Sequence, residues 1–273
     1  MSRALGLVDD VEDGIPGDAA ARAEGVSKIY GTGGGMVKAL DNVTLSIPRG
    51  GFTGIMGPSG SGKSTLMHCL AGLDQVDQGK IYVGDVELTG LREKDLTRLR
   101  RDRIGFIFQS FNLIPTLTAL ENITLPMDIA GRKPDKEWLD TVIDTVRLRD
   151  RLHHRPSELS GGQQQRVACA RALASRPDVI FADEPTGNLD SSSGTEVLSF
   201  LKESVRITGQ TIVMVTHDPT AAGYTDNVIF LTDGQLVDRM KDPTPAKVLE
   251  RMKNFEPPAP AAQAGTPQQG AGR

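Results

Sequence analysis

The sequence predicts an α/β fold in which a mainly parallel sheet is accompanied by an antiparallel β subdomain and a helical subdomain. Three observations support this prediction. Apolar segments of strand length alternate with helical patterns through the middle of the 273-residue chain. Two hairpin signals lie on either side of this region, and a long segment between Gln109 and Ser160 has mainly helical spacing. Strands alternating with helices are typical of a parallel sheet covered on both faces.

The β elements are indicated by turn signals and apolar runs. The segment GVSKIYGTGGGMVKALDNVTLSI predicts strands around the glycine-rich turn Gly31–Gly35. Gly84-Asp85 in KIYVGDVEL and Asp233-Gly234 in VIFLTDGQLVD each lie between two β-rich halves, which favours a tight hairpin. VIFAD and TIVMV are nearly continuous apolar runs, as expected for buried parallel strands.

One helix of the helical subdomain is indicated by its periodicity. In DKEWLDTVIDTVRL, Trp138, Val142 and Val146 share one stripe, and Leu139 and Ile143 lie beside it. This spacing predicts an amphipathic helix. We expect the helical subdomain to cover about residues 110–160.

The two ends of the chain lack such patterns. Residues 1–20 are acidic and without periodicity, and residues 255–273 are dominated by Pro, Ala, Gln and Gly. Such segments cannot bury enough apolar surface to offset the entropy of ordering. The sequence therefore predicts a flexible tail at each end and one domain over residues 21–254.

Composition limits the kind of protein this is. The net charge of −4 and the pI of about 5.6 argue against a dedicated nucleic-acid binder, which usually carries a basic face. Cys69 and Cys169 lie among apolar helical neighbours, so we expect buried free thiols in a reducing compartment. No apolar run approaches the roughly 18 residues of a membrane span, and the N-terminus lacks a secretory signal. We therefore expect a cytoplasmic protein.

The segment GPSGSGKST follows the apolar GFTGIM and precedes a helical pattern. Its spacing matches G-x-x-x-x-G-K-[ST], in which glycines let successive N–H groups point inward around phosphates at a helix N-terminus. Lys63 is expected to reach the β- and γ-phosphates and the Ser64 hydroxyl to bind Mg²⁺. The predicted phosphate-binding residues are Gly57, Pro58, Ser59, Gly60, Ser61, Gly62, Lys63, Ser64 and Thr65.

Polar residues follow three other predicted strands. Asp183 and Glu184 end VIFADE, where Asp183 is suited to hold the Mg²⁺ shell through water and Glu184 to activate the attacking water. Gln109 ends IGFIFQ and carries an amide that can reach metal or water. His217 follows TIVMVT, on the side of the sheet expected to face the γ-phosphate.

A second anion site is predicted at LSGGQQQR. Here Ser-Gly-Gly opens a helix whose first N–H groups are unpaired. One nucleotide rarely needs two phosphate cradles in one chain. The second site is explained if it caps a triphosphate held by another copy of the chain.

These motifs, in this order, resemble the ATP-binding subunit of an ATP-binding cassette (ABC) transporter over residues 22 to about 245. Tyr30 is similar to the aromatic residue that stacks on adenine in that family. The matching motifs are Walker A at Gly57–Thr65, the Q-loop at Gln109, the signature at Leu159–Gln163, Walker B at Val179–Asp183, the D-loop at Asn188–Asp190 and the switch histidine at His217.

The resemblance implies a P-loop NTPase core that hydrolyses ATP with Mg²⁺. It implies catalytic roles for Glu184, His217 and Gln109 and metal binding by Ser64, Gln109 and Asp183. It further implies a head-to-tail homodimer, in which each ATP lies between Walker A of one copy and the signature of the other. The signature residues implied to contact nucleotide are Ser160, Gly161, Gly162 and Gln163.

The resemblance also implies partners. The chain would drive a separate transmembrane permease from the cytoplasmic face of the membrane, without nucleic acid as a partner. FQSFNLIPTLTALENITLPM and PTGNLD resemble the branch of macrolide exporters, lipoprotein-releasing complexes and the cell-division cassette. Such a permease would serve export, lipoprotein or peptide extrusion, or the transmission of force, and it would select the cargo.

Two other classes stay open. A soluble cassette could act on nucleic acid or ribosomes, although such proteins usually carry two cassettes or a long coiled coil, and neither is visible. The best basic patch, LREKDLTRLRRDR at residues 91–103, is most simply a solvated helix face, although it could also face anionic lipid headgroups. A nucleotide kinase is the third class. The intact signature and Glu184 argue against it because they favour water as the acceptor.

Overall fold

The computed structural model describes residues 19–31 and 35–255. Within these ranges the chain forms two sheets and eight α-helices. The strands are β1 (Ala19–Tyr30), β2 (Val37–Pro48), β3 (Phe52–Met56), β4 (Gln78–Val83), β5 (Val86–Glu87), β6 (Ile104–Phe108), β7 (Val179–Asp183), β8 (Ile212–Val215), β9 (Asn227–Thr232) and β10 (Gln235–Lys241). The helices are α1 (Lys63–Leu70), α2 (Glu93–Arg103), α3 (Ala119–Ile129), α4 (Lys136–Thr145), α5 (Gly161–Ala174), α6 (Ser191–Thr208), α7 (Pro219–Ala222) and α8 (Pro245–Lys253).

The central sheet has six strands in the order β10-β9-β3-β8-β7-β6. All neighbours from β9 to β6 pair in parallel, and β10 pairs antiparallel with β9. The runs VIFAD and TIVMV become the buried strands β7 and β8, because apolar side chains on both faces suit a sheet covered on both sides. The carboxyl ends of the five parallel strands therefore meet at one edge.

The second sheet is antiparallel, in the order β2-β1-β4-β5. Gly84 lies in the β4–β5 turn with φ 58°, and the β9–β10 turn has positive φ at both Asp233 (49°) and Gly234 (75°). Positive φ at both central residues gives a turn whose twist matches that of the strands. Both predicted hairpins are present, and the predicted fold class is confirmed.

Helices α3, α4 and α5 pack together on one side of the central sheet. Val142 and Val146 of the predicted amphipathic helix are buried in the same cluster as Ile123. The Trp138 Nε1–H donates to the Leu173 carbonyl at 3.1 Å, which joins α4 to α5. The periodicity therefore identified both the helix and its buried face.

The domain extends slightly beyond the predicted limits of residues 21 and 254. Strand β1 begins at Ala19, whose partner in β2 is Pro48. The Phe255 ring packs against Phe230 with centroids 5.5 Å apart. Small alanines and a single aromatic residue carry no periodic signal, so sequence patterns missed both contacts. The rest of the predicted tails, residues 1–18 and 256–273, lies outside the described residues.

Both cysteines are buried and free, as predicted. Burial raises the pKa of Cys69 and of Cys169 to about 12, so both thiols are protonated at neutral pH. No helix in the described ranges is long and apolar enough to cross a membrane.

Helix α8 covers one end of the central sheet. Val248 is fully buried and belongs to a cluster with Met56, Val228 and Phe230. Met56 directly precedes the Gly57–Thr65 segment, so α8 supports the strand that carries this segment.

We expect truncation after residue 255 to leave the melting temperature unchanged and truncation after residue 244 to lower it. The longer deletion exposes Met56, Val228 and Phe230, and burial of each such side chain contributes about 1.5–3 kcal/mol. Since about 1 kcal/mol shifts the melting temperature of a domain of this size by roughly 2–4 °C, calorimetry should resolve a loss of several degrees. Equal melting temperatures for the two truncated proteins would contradict the stabilising role of α8.

Candidate functional site

Four polar segments lie at one edge of the central sheet. The Gly57–Thr65 segment follows β3, His217 follows β8 after one residue, Asp183 ends β7, and Gln109 follows β6. In the sheet order these are four consecutive parallel strands. Ligands of open α/β sheets bind outside the carboxyl ends of the strands, and this edge is therefore the candidate site.

The Gly57–Thr65 segment has a backbone that requires glycine. Gly57 has φ 154°, and a Cβ there would lie 2.0 Å from the Leu231 carbonyl oxygen. Gly62 has φ 97°, and its Cβ would lie 2.3 Å from the Ala39 carbonyl oxygen. Because Gly62 is the N-cap of α1 and has no side chain, the first N–H groups of the helix are left available to an anion.

Lys63 lies inside this loop. Its Nζ donates to the Gly57 carbonyl at 2.9 Å and to the Pro58 carbonyl at 2.7 Å, and the residue is 8% exposed. Burial lowers the pKa of Lys63, although the nearby Glu184 and Asp183 carboxylates oppose this shift. The ammonium group is thus anchored to the loop backbone.

The two acids at the end of β7, Asp183 and Glu184, lie in different environments. Burial raises the pKa of Asp183, with Glu184 adding to the shift and His68 and Lys63 opposing it. Glu184 has a left-handed backbone, φ 43°, and its Oε1 lies 2.7 Å from His217 Nδ1. The Glu184 N–H donates to the Val215 carbonyl at 2.9 Å, which fixes the turn. The structure thus places a carboxylate and an imidazole in direct contact.

Gln109 contacts the loop after β7. Its Nε2 donates to Asn188 Oδ1 at 3.2 Å, and Asn188 Nδ2 donates back to the Gln109 carbonyl at 3.1 Å. A Cβ at Gly187 would lie 2.6 Å from Gln109 Nε2, so glycine makes this contact possible. The side chain thus meets the D-loop residue Asn188, and its predicted place beside Ser64 and Asp183 stays a prediction.

The signature residues form the start of α5. The Ser160 N–H donates to Gln163 Oε1 at 2.9 Å, and the Gln163 N–H donates to Ser160 Oγ at 3.3 Å, which is a capping box. Gln163, predicted to contact nucleotide, therefore has its side chain engaged by its own helix. Gly161 and Gly162 supply the first helical N–H groups, and Ser160 is exposed.

The signature residues are separate from the Gly57–Thr65 segment. Among the described residues, no hydrogen bond or ion pair joins Ser160, Gly161 or Gly162 to that segment. A Cβ at Gly162 would lie 3.0 Å from the Ser193 Cβ, so the start of α5 packs closely on the start of α6. The helix N-termini of α1 and α5 therefore have different neighbours within one chain.

Tyr30 ends β1 and is 41% exposed. Its hydroxyl donates to the Asp74 carboxylate. The structure therefore ties this predicted base-stacking residue to the loop that follows α1.

Gln165 is a residue that the motif analysis missed. It is fully buried, and its Nε2 donates to the Pro185 carbonyl at 2.6 Å and to the Phe108 carbonyl at 3.3 Å. It thus ties α5 to the ends of β6 and β7. A signal was available, because Gln165 lies three and four residues before Ala168 and Cys169 on the apolar face of the helix.

We expect Asp183→Asn to raise the melting temperature of the nucleotide-free protein at pH 7.5. The folded protein raises the pKa of Asp183, so the ionised carboxylate costs stability above the folded pKa. This cost shrinks as pH falls through the folded pKa and vanishes below the unfolded value of about 3.9, so the gain should shrink on acidification. Thermal melts of both proteins from pH 7.5 to pH 4 measure the difference in melting temperature.

Asp85→Asn is the matched control, because the exposed Asp85 has a pKa lowered by its bond to Arg103. It should not raise the melting temperature. An Asp183→Asn protein less stable than the parent at pH 7.5 would contradict the assigned cost of the buried carboxylate.

A glycine loop at a helix N-terminus, a buried lysine and paired acids at one sheet edge are typical of a phosphate-loop nucleotide-binding protein. The family model described as ABC transporter matches residues 40–187. The chain belongs to the ABC transporter family and is an ATP-binding, ATP-hydrolysing cassette.

Proteins similar to the chain are also described as ATP-binding. The chain is 45% identical over 222 residues to the uncharacterized ABC transporter ATP-binding protein MJ0796 of Methanocaldococcus jannaschii, covering 79% of this chain and 94% of that protein. It is 46% identical over 200 residues to the lipoprotein-releasing system ATP-binding protein LolD 1 of Chlorobium chlorochromatii, covering 72% and 81% of the two chains. It is also 46% identical over 220 residues to the macrolide export ATP-binding/permease protein MacB of Wolinella succinogenes, covering 80% of this chain and 34% of that longer protein.

A solved dimeric structure of MJ0796 bound to ADP and Pi, described as a post-hydrolysis state, superposes with a TM-score of 0.71 at 42% identity. It covers 81% of this chain and 98% of that chain. The similar cassette MJ0796 is therefore dimeric in that structure.

Proposed function

We propose that the chain is the ATP-hydrolysing subunit that powers a separate membrane permease, and that it works as a head-to-tail homodimer. The observation that supports the proposal is that one chain carries two glycine-containing helix starts, at α1 and α5, with no hydrogen bond between them among the described residues. Each half-site needs a partner, and a second copy supplies it. The dimeric state of the MJ0796 cassette supports this arrangement.

In the proposed site the loop backbone and Lys63 hold the phosphates of ATP. Glu184 accepts a proton from the attacking water, and His217 orients the Glu184 carboxylate through their 2.7 Å contact. Gln109 senses the state of the site through Asn188, which belongs to the D-loop. Tyr30 stacks on the base.

The side chains at the proposed site are of the chemical kind that binds Mg²⁺. Among the described residues, no cluster of three or more His, Cys, Asp or Glu side chains could hold a metal alone. Mg²⁺ is usually bound by one or two carboxylates together with substrate phosphates, and the half-buried Asp183 with Ser64 offers such a partial set. The ion, when bound, would neutralise charge on the phosphates.

The similarity to a lipoprotein-releasing ATP-binding protein and to the ATP-binding part of a macrolide exporter supports coupling to a permease of that branch. We infer that the chain acts at the cytoplasmic face of the membrane. The work done there is export, lipoprotein or peptide extrusion, or the transmission of force.

Phosphate release from MgATP by the full chain tests this proposal. We expect release in buffer alone and more of it when the permease is present in proteoliposomes. A nucleotide kinase would transfer the γ-phosphoryl group to an added nucleotide and release no phosphate, and a nucleic-acid enzyme would release phosphate only with DNA or ribosomes. Absence of release in buffer, or release that depends on DNA or ribosomes, would contradict the proposed function.

A further inference from the structure

The loop between α1 and β4 is tied to the end of β1 by groups that the hydrolytic chemistry does not use. The Ile29 N–H donates to Asp77 Oδ2 at 2.6 Å. Lys28 and Tyr30, on either side of Ile29, both bond to Asp74. Three consecutive residues of β1 are therefore fixed by two acids of one loop.

Asp74 uses both carboxylate oxygens in this network. The Tyr30 hydroxyl donates to Oδ2, and Lys28 Nζ lies 2.9 Å from Oδ1. Lys28 Nζ also donates to the Gln75 carbonyl at 2.6 Å. The side chains of Lys28 and Asp74 are only 12% and 29% exposed, so solvent screens this pair less than an ordinary surface ion pair.

The same network fixes the Tyr30 ring. Lys28 Nζ lies 5.1 Å from the ring centroid, within range of a cation–π contact. The Asp74 loop follows α1, whose first residue, Lys63, belongs to the Gly57–Thr65 segment. The bond to Asp74 therefore connects the ring to that segment through one helix.

We propose that Asp74, together with Lys28, is a positioning residue for the nucleotide base, because it holds the Tyr30 ring at a set position relative to the Gly57–Thr65 segment. This inference rests on the proposed role of Tyr30 as the stacking platform. Asp74 acts through Tyr30 and touches no reacting atom.

We expect this network to strengthen nucleotide binding because it orders the Tyr30 ring before the base binds. A half-exposed tyrosine without its hydroxyl anchor must be ordered when the base binds. We expect loss of the anchor to weaken binding of a nucleotide about twofold to tenfold, the range for ordering one side chain on binding. Binding of a base-free phosphate ligand should not change.

The test measures binding of ADP by calorimetry, and of inorganic pyrophosphate by competition with ADP, to the full chain and its variants. Asp74→Asn, Lys28→Met and Tyr30→Phe each remove part of the anchor and keep the ring. Asp85→Asn and Lys80→Met change exposed charges of β-subdomain residues outside the network and serve as controls. The Asp74→Asn/Tyr30→Ala double variant shows whether Asp74 acts through the ring.

We expect the three anchor variants to weaken ADP binding and to leave pyrophosphate binding unchanged, whereas the two controls should bind both ligands as the parent does. Asp74→Asn should have no further effect once Tyr30 is Ala. If Tyr30→Ala alone leaves ADP binding unchanged, the stacking role fails and this inference fails with it. If Tyr30→Ala weakens binding but Asp74→Asn does not, or if their effects add, only the positioning role is overturned.

Discussion

Glutamine in place of Glu184 is expected to lower ATP hydrolysis by about 10²–10⁴-fold, the range that general-base catalysis contributes. The change keeps the size and shape of the side chain but removes the proton acceptor. His217 Nδ1, 2.7 Å from Glu184 Oε1, can still bond to the amide. The loop around Lys63 is untouched, so ATP binding should persist while turnover stops.

The same variant should form a dimer that depends on ATP. At free ATP about 100 times its dissociation constant, each site contributes about 2.7 kcal/mol to the bound state. Two sites without turnover should therefore hold the closed dimer on a sizing column with MgATP, and ADP should not. The control is Asp218→Asn at a half-buried acid beside His217, the N-cap of α7, which should hydrolyse ATP. A Glu184→Gln protein that turns over at the parent rate would remove the general-base assignment.

The sequence predicted those parts of the fold and site that depend on local constraints. Gly57 and Gly62 were identifiable because no other residue tolerates their backbone and the carbonyls beside them. The Asp233-Gly234 hairpin was identifiable because both residues adopt positive φ. The order of the parallel strands then placed His217 and Glu184 at the edge where the loop lies.

Other features depend on contacts between residues far apart in sequence. Gln109 is 79 residues from Asn188, and Tyr30 is 44 residues from Asp74. Neither pairing has a local pattern, because a polar residue at a loop or strand end could face several neighbours. Gln163 is a different case. It is predicted to contact nucleotide, and the structure shows its side chain in the capping box of its own helix.

A mixture of two inactive variants is expected to recover part of the ATPase activity. Lys63→Ala removes the only side-chain cation of the Gly57–Thr65 segment, and Ser160→Arg fills the space in front of the first N–H groups of α5. Each variant alone spoils both sites of a head-to-tail dimer. A mixed dimer keeps one intact site, formed by the loop of the Ser160→Arg copy and the signature of the Lys63→Ala copy.

Phosphate release from mixtures at fixed total protein measures this recovery. Ser160 is also the cap of α5, whose loss costs about 1 kcal/mol, so the melting temperature of Ser160→Arg must be checked against Ser199→Arg at an exposed site on α6. A chain carrying both changes, mixed with Lys63→Ala, cannot form an intact site and should stay inactive. If the two single variants also stay inactive together, the site is not shared between copies, because a head-to-tail dimer of these chains must contain one complete set of residues.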